Sequence, residues 1–286
     1  VLDTLVMFLK KALMFLTLAL AIGCQGPCQK GEMETPINGV LFVGTPEQSI
    51  ESSVLVEFGR GSGSGFVVES GLNQEGDKRY YRVITAAHVL KEEFSLGYGS
   101  KPVVTFTIGK KKKFFVTDII KRNVNLDLAL LEFWTSEIEP FCKIFKIAKN
   151  DDYLEYFTEV QLVSYPYGTG PIVTRGFISG VDVLAFDRQN YVANAQSAPG
   201  SSGGGIMATE SYEIVGVLSA VLNAIGANQF LSWCSLVVPA SNIREFLDTP
   251  ETPAGYPQIT PGLDRGKTEK PIIIFYPTNL KNVSNK

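Results

Sequence analysis

Short runs in which apolar residues alternate with polar ones recur along the chain, and turn-forming residues separate them. Residues 103–108 (VVTFTI), 114–117 (FFVT) and 160–163 (VQLV) are examples. A period of two is typical of strands with one buried face, whereas helices repeat every 3.6 residues. The composition agrees, since the 286 residues include 27 glycines and only 19% are charged. The sequence therefore predicts a soluble, mostly β protein.

His88 is the only histidine of the chain, and it lies in the apolar segment 83–90 (VITAAHVL). Val83 and Ile84 predict a buried strand, and the residues that follow predict a short helical turn. A lone histidine in such a place is more often a packed core residue than a reactive one. The second interpretation stays open because an imidazole can accept a proton near neutral pH.

Asp127 is a lone carboxylate with Leu126 and Leu128 on either side. It has a plain structural explanation, the end of a strand. However, burying a carboxylate without hydrogen bonds costs free energy. We therefore expect Asp127 to have a partner elsewhere in the fold.

Residues 200–205 (GSSGGG) form a glycine-rich segment with two adjacent serines, Ser201 and Ser202. A second such run, 61–65 (GSGSG), has a similar composition, and either would suit a flexible linker. The later run is followed at once by an apolar stretch and by the strand-like residues 214–218 (IVGVL). Because linkers seldom interrupt a folded half, we interpret 200–205 as a turn within the fold.

Histidine, aspartate and serine, in that chain order, make up one of the known nucleophilic arrangements. A serine hydroxyl is a weak nucleophile and needs an adjacent base, which His88 can supply. Asp127 would fix the tautomer of the ring and stabilise the imidazolium that forms. The backbone N–H groups of Gly200 and Ser202 are the natural donors to an oxyanion.

Five segments together resemble the trypsin-like serine peptidases, and specifically the bacterial HtrA/Deg branch. The similarity runs from Ser52 to Leu247, and its segments are 61–68 (GSGSGFVV), 83–90, 127–131 (DLALL), 171–180 (PIVTRGFISG) and 237–242 (VVPASN). The resemblance implies that His88, Asp127 and Ser202 form a catalytic triad. It also implies an oxyanion hole at Gly200 and Ser202.

The implied fold is all-β, with two six-stranded antiparallel β-barrels packed side by side and a short C-terminal helix. Barrel one would span about residues 52–140 and barrel two about 154–240, within a domain of residues 52–247. The implied function is that of a serine endopeptidase, which cuts unfolded or extended polypeptides through an acyl-enzyme and needs no cofactor. The alternative is a catalytically silent barrel that binds peptides or acts as a holdase lipoprotein of the envelope.

Two residues depart from the family pattern. Gly205 stands where the family usually has proline or alanine, and we expect it to loosen the turn slightly. Ser201 replaces the aspartate that pairs with a newly cut N-terminus in many animal relatives. Activation by N-terminal cleavage is therefore not expected.

The resemblance also implies a primary specificity pocket. One wall would be the strand segment Leu218, Ser219, Ala220 and Val221. Ser235 would lie on the facing strand, and Gln196 would lie near the base of the pocket. Since none of these residues is acidic, a substrate Arg or Lys would bury its charge without a partner. We expect a broad preference for small or medium aliphatic side chains.

Other ligand classes find little support in the sequence. Lys110–Lys113 lies between two strand-like runs, which favours the solvated tip of a hairpin over a nucleic-acid site. A net charge of −3 argues against a general polyanion binder. No metal site is expected, because one histidine and no Cys/His cluster leave few ligands for a transition metal.

Residues 1–23 predict a signal peptide, since Lys10 and Lys11 precede a short uncharged run that ends at Cys24. Residues 21–24 (AIGC) resemble a lipobox, so we expect lipidation of Cys24, a tether over 24–51 and a location in the bacterial cell envelope. The alternative is ordinary cleavage near Gly23. Met7 is a candidate translation start, with residues 1–6 as an upstream extension.

The remaining features concern the other cysteines and the C-terminus. Cys142 and Cys234 are most simply buried thiols, and a disulfide between them is the alternative. Residues 248–286 form a proline-rich tail with one apolar run at 271–276 (PIIIFY), and no PDZ domain is expected there. Oligomeric state stays open.

Overall fold

The computed structural model describes residues 41–91, 100–151, 155–185, 188–223 and 230–250. These segments contain thirteen strands and two α-helices. The strands are β1 (Ser53–Phe58), β2 (Gly61–Leu72), β3 (Arg79–Thr85), β4 (Val103–Ile108), β5 (Lys111–Val116), β6 (Asp118–Asn123), β7 (Leu128–Thr135), β8 (Glu159–Ser164), β9 (Ile172–Ala185), β10 (Arg188–Ala193), β11 (Gly205–Ala208), β12 (Ile214–Asn223) and β13 (Phe230–Pro239). The helices are α1 (Pro46–Glu51) and α2 (Ala240–Asp248).

The first half is an antiparallel sheet of seven strands in the order β5-β4-β1-β2-β3-β7-β6. Its two outer strands, β5 and β6, are separated along the chain by Thr117 alone, so the sheet must curl to bring its ends together. Thr117 donates its backbone N–H (2.8 Å) and its hydroxyl (3.1 Å) to the Pro102 carbonyl. This anchor bends one long strand into two, which accounts for seven strands where six were expected.

The second half is a closed antiparallel barrel of six strands in the order β10-β13-β12-β11-β8-β9. Helix α2 follows β13 directly and packs on β12 and β13 through Ile243 and Phe246, both buried. The two sheets and this helix confirm the predicted all-β, trypsin-like architecture.

The two halves share a hydrophobic cluster. Phe66, Ile84 and Leu128 from the first sheet pack with Val163 and Met207 from the barrel, and all five are buried. Burial of apolar area on this scale fixes the halves against each other, so residues at their border are held in place from both sides.

A buried lysine adds a polar link between the halves. Lys121 of β6 donates to the carbonyls of Phe246 and Thr249 at the end of α2, and its ammonium lies 4.7 Å from the centre of the Phe246 ring. A cation at a helix C-terminus satisfies carbonyls that have no partner in the helix and matches the helix dipole.

Several expectations from the sequence can be compared with these residues. Lys110 lies in the turn between β4 and β5, which confirms the hairpin. Cys142 and Cys234 are both free thiols. Within the described residues, no helix has the length and apolarity that crossing a membrane requires. The predicted signal peptide, Cys24 and residues 251–286 lie outside the described residues.

Candidate active site

His88 and Asp127 lie on neighbouring loops of the first sheet. His88 is in the 3₁₀ turn Ala87–Leu90 that follows β3, and Asp127 immediately precedes β7, which pairs with β3. Asp127 has a φ of 56°, a left-handed conformation that Asp tolerates better than most residues. A bond from the Ala87 N–H to the Asp127 carbonyl (3.1 Å) joins the two loops.

The two side chains form a direct pair. His88 Nδ1 lies 2.8 Å from Asp127 Oδ2 and 3.0 Å from Oδ1, and the His88 backbone N–H donates to Oδ1 at 2.9 Å. The Asp127 side chain keeps 13% of its exposure and His88 34%, so the imidazole still reaches solvent on its far side. The expected partner of the buried carboxylate is therefore His88.

Ser219 of β12 supplies a third group to this cluster. Its hydroxyl donates to Asp127 Oδ2 at 2.6 Å, and the residue is buried. Burial alone would raise the pKa of Asp127, but the charge of His88 and the hydrogen bonds from His88 and Ser219 outweigh it and lower that pKa. The carboxylate is thus held ionised.

The glycine-rich segment 200–205 is a tight turn and not a linker. The Ser201 N–H donates to the Ala198 carbonyl at 2.9 Å, which closes a four-residue turn with Pro199 and Gly200 at its centre. Proline fixes a negative φ at the first central position, and Gly200 has a φ of +93° at the second. That combination is a type II turn, in which glycine is preferred at this position.

The two adjacent serines have different environments. Ser201 is buried, and its hydroxyl accepts from the Ala198 N–H (3.2 Å) and from the Ser164 hydroxyl (3.1 Å). The Ser202 hydroxyl is partly exposed, and its nearest acceptor is the Ser219 carbonyl at 3.5 Å. Ser201 thus has a structural role, and only Ser202 presents a hydroxyl to the surface.

Ser64 of β2 fastens this turn to the first sheet. Its N–H donates to the Ser202 carbonyl at 2.7 Å, and its hydroxyl donates to the Gly200 carbonyl at 2.8 Å. The same hydroxyl accepts from the Tyr165 N–H at 2.8 Å. The run 61–65 therefore forms part of the site's support.

Gly203 is the most constrained position of the turn. It has a φ of +87°, and a Cβ there would lie 2.5 Å from Thr85 Oγ1 and against the Ser64 carbonyl. Gly205 begins β11, and a Cβ there would lie 2.7 Å from Ile214 Cδ1. A larger residue at Gly205 would have to displace the end of the Ile214 side chain, and the expectation that Gly205 loosens the turn stays a prediction.

The two backbone N–H groups predicted to bind an oxyanion, those of Gly200 and Ser202, both lie in this turn. Within the described part of the chain, neither the Gly200 N–H nor the Ser202 N–H donates a hydrogen bond. The type II turn and the clamp by Ser64 fix both groups before any ligand binds. Preorganised N–H donors of this kind can stabilise a developing oxyanion.

Among the described residues, no hydrogen bond joins the Ser202 hydroxyl to the His88 ring. Such bonds are often long before substrate binds and shorten in the complex. The structure therefore brings His88 and Asp127 into contact, while the roles of Ser202, Gly200 and the Ser202 N–H stay predictions.

The residues assigned to the specificity pocket have different environments. Ser235 is buried and bonds to the Ser197 hydroxyl (2.7 Å) and the Ala195 carbonyl (3.0 Å), while Gln196 is exposed and its carbonyl accepts from Thr174 Oγ1. The Ser219 side chain instead faces Asp127 and Arg188, so it can border a pocket only through its backbone.

The strand β12 offers an open edge next to the serine. Leu218 is buried. Its backbone N–H donates to the Gly204 carbonyl (2.9 Å), and its carbonyl accepts from the Gly203 N–H (2.7 Å). Beyond Leu218, Ala220 and Val221 pair with β13 on one side, and within the described residues their other edge has no strand. The Val221 side chain lies outside the described set.

Two contributors to the site were not predicted from the sequence. Ser64 lies in a run that resembles a linker, and Arg188, which donates to Ser219 at 2.8 Å, starts a strand with no motif. Among the described residues, no group of three or more His, Cys, Asp or Glu side chains is placed to hold a metal ion.

The histidine loop lies on the curled sheet and the serine turn on the closed barrel, so the site is divided between the two halves of the fold. The sequence model of the trypsin-like peptidase domain matches residues 63–217, more than half of the chain. The chain therefore belongs to the trypsin-like peptidase family. A comparison with curated protein sequences finds no match.

Solved structures with a similar fold include AlgW, Deg5 and a serine endoprotease from Yersinia pestis. The HtrA-type protease AlgW with a tripeptide is 15% identical, and the match covers 70% of this chain and 60% of the AlgW chain with a TM-score of 0.54. Deg5 is 18% identical, and the match covers 70% of this chain and 88% of the Deg5 chain with a TM-score of 0.54. The serine endoprotease from Yersinia pestis is 18% identical, and the match covers 72% of this chain and 66% of that protein's chain with a TM-score of 0.52. The chain thus spans about 60% of the length of AlgW.

Proposed function

We propose that this protein is a serine endopeptidase in which Ser202 is the nucleophile, His88 the general base and Asp127 the residue that orients His88. The observation that carries the proposal is the short pair between His88 Nδ1 and Asp127 Oδ2, 2.8 Å, on the half that faces the serine turn. Membership of the trypsin-like peptidase family supports the same assignment.

The chemistry would proceed in two acyl-transfer steps. Ser202 Oγ attacks the scissile carbonyl carbon while its proton passes to His88 Nε2. The carbonyl oxygen becomes an oxyanion, which the N–H groups of Gly200 and Ser202 stabilise. Collapse breaks the C–N bond, and His88 gives its proton to the leaving amine. Water, deprotonated by His88, then attacks the ester, and the serine regains its proton.

The proposed substrates are unfolded or extended polypeptides. The edge of β12 at Ala220 and Val221 is suited to pair with an extended segment as an added strand. A compact domain cannot offer such a segment without local unfolding. This argument favours polypeptide chains over small esters or amides.

The proposed location is the bacterial cell envelope, with Cys24 as the lipid attachment site. The support is the sequence alone, namely the two lysines, the short uncharged run and the AIGC segment. The test is detergent partitioning of the expressed protein and of Cys24→Ala. An unmodified mature N-terminus, found by mass analysis, would overturn this assignment.

A fluorophosphonate probe tests the catalytic proposal directly, because it reacts only with an activated serine. Wild-type protein should be labelled, and peptide mapping should find the adduct on Ser202. Ser202→Ala should lose labelling and proteolysis while it stays folded, whereas Ser201→Ala is the matched control and should retain labelling. An unlabelled wild type that still binds peptides would support the catalytically silent barrel instead.

A further inference from the structure

Arg188, the first residue of β10, extends from the barrel to the loop that carries Asp127. Its guanidinium donates hydrogen bonds to the Asn125 carbonyl (2.8 Å), to the Ser219 hydroxyl (2.8 Å) and to Asn190 Oδ1 (3.0 Å). The side chain therefore links the barrel to the first sheet two residues before the carboxylate.

The hydrogen bond from Arg188 to Ser219 determines the direction in which the Ser219 hydroxyl proton points. A guanidinium has donors only, so the Ser219 hydroxyl must accept from Arg188. The single proton of that hydroxyl is then free to donate to Asp127 Oδ2, 2.6 Å away. Arg188 thus holds Ser219 as a donor to the carboxylate that orients His88.

A buried amide keeps the guanidinium in this position. Asn190 is fully buried, and its Nδ2 donates to the carbonyls of Ala185 and Arg188, both at 2.9 Å. Its Oδ1 is therefore directed at Arg188 Nε. This network fixes the head of Arg188, which is unusual for a long side chain at a strand end.

We propose that Arg188 is a positioning residue for the His88–Asp127 pair, acting through the Ser219 hydroxyl and through its positive charge behind the carboxylate. The proposal rests on the proposed serine endopeptidase function. It assigns a role to a residue outside the three that carry the chemistry.

The charged groups that face one another here come from three elements. They are His88 on the 3₁₀ turn after β3, Asp127 on the loop before β7 and Arg188 on β10. The guanidinium competes with an imidazolium for the same carboxylate. Removing it should therefore make protonated His88 more stable, and the acid limb of kcat/KM should move to higher pH.

The chain allows a direct test because His88 is its only histidine. In untagged protein, a proton NMR titration of the imidazole signals reports on His88 alone and needs no catalysis. Four variants should be compared with wild type. Arg188→Met removes the charge and the bonds, Arg188→Lys keeps the charge, and Ser219→Ala removes the hydroxyl that lies between Arg188 and Asp127. Arg82→Gln is the control, because it removes ion pairs with Glu69 and Glu132 on the first sheet, away from this cluster.

In Arg188→Met, the titration of His88 and the acid limb of kcat/KM should both move to higher pH. Its kcat per labelled active site should fall about 10-fold, the effect of losing one supporting hydrogen bond, while KM changes little. Arg188→Lys should titrate close to wild type with an intermediate kcat. Arg82→Gln should lower stability and leave the titration unchanged.

Unchanged titration and kcat in Arg188→Met would overturn the proposal. If that variant does not fold, Arg188→Lys decides, because the proposal requires its titration to stay nearer to wild type than that of Ser219→Ala. A wild type that neither reacts with fluorophosphonate nor cuts peptides would instead refute the endopeptidase function. The NMR titration would still report on the linkage in that case.

Discussion

Ser64 and Ser202, which lie on different halves of the molecule, are joined by a hydrogen bond from the Ser64 N–H to the Ser202 carbonyl, 2.7 Å long. This bond helps to fix the position of the serine turn relative to the loops that carry His88 and Asp127. A site divided between two halves depends on such border contacts, because small displacements of reacting groups slow catalysis strongly.

Asp127→Asn should leave the fold intact and lower kcat by about 10⁴-fold, as in other Ser-His-Asp enzymes. The reason is the tautomer: an amide at this position can donate to Nδ1, which moves the ring proton to the nitrogen that must act as base. Steady-state kinetics on a peptide substrate measure the effect. The matched control is Asp118→Asn, since Asp118 is an exposed residue that pairs with Lys101.

A mild loss in Asp127→Asn together with a large loss in Asp118→Asn would contradict the assignment of the carboxylate. It would mean that His88 has another partner during catalysis. Circular dichroism of both variants separates this result from unfolding.

Gly203→Ala should destabilise the serine turn. The alanine would adopt an unfavourable positive φ, which costs about 1–3 kcal/mol, and its Cβ would collide with Thr85 and Ser64. We expect loss of fluorophosphonate labelling and a lower free energy of unfolding in denaturant. Gly170→Ala is the control, because a Cβ there meets nothing within 4 Å. Full labelling of Gly203→Ala would show that the turn adopts another conformation in the active protein.

Lys121→Met should lower the free energy of unfolding by about 2–3 kcal/mol. The substitution keeps the long apolar side chain but removes the charged donor to the carbonyls of Phe246 and Thr249, which would remain without that partner. Urea denaturation gives the value. Lys112→Met, at an exposed position of the β4–β5 hairpin, should change stability by no more than about 0.5 kcal/mol. Equal effects of the two substitutions would refute a cap on helix α2.

The sequence was sufficient for the β architecture and for the expectation that Asp127 has a partner, because alternation and short motifs are local signals. The role of Ser202 stays a prediction. The sequence was not sufficient for the groups that support the site. Ser219 lies 92 positions from Asp127, and Arg188 lies 31 positions from Ser219. No local pattern reports a contact between such distant residues.

The role of Ser219 illustrates the same limit. A strand position predicts that a side chain faces one side of a sheet, but the irregular pairing between Leu218 and Ala220 changes which side that is. The hydroxyl therefore reaches Asp127 and not the pocket. The bend at Thr117 was missed for a similar reason, since its cause is a bond to Pro102 from another loop.

Cleavage should follow small or medium aliphatic residues such as Val, Ala and Ile. The buried groups next to the serine turn, Ala195, Ser197 and Ser235, are neutral, and the two hydroxyls bond to each other. A substrate Arg, Lys, Asp or Glu would enter this region without a partner for its charge, which costs free energy. One methylene of misfit costs only about 1–3 kcal/mol, so the aliphatic preference should be broad. Profiling a peptide library with wild type, and with Ser202→Ala as the background control, measures this. A strong preference for a charged residue before the cut would mean that the pocket is formed by other residues than those beside Ser235.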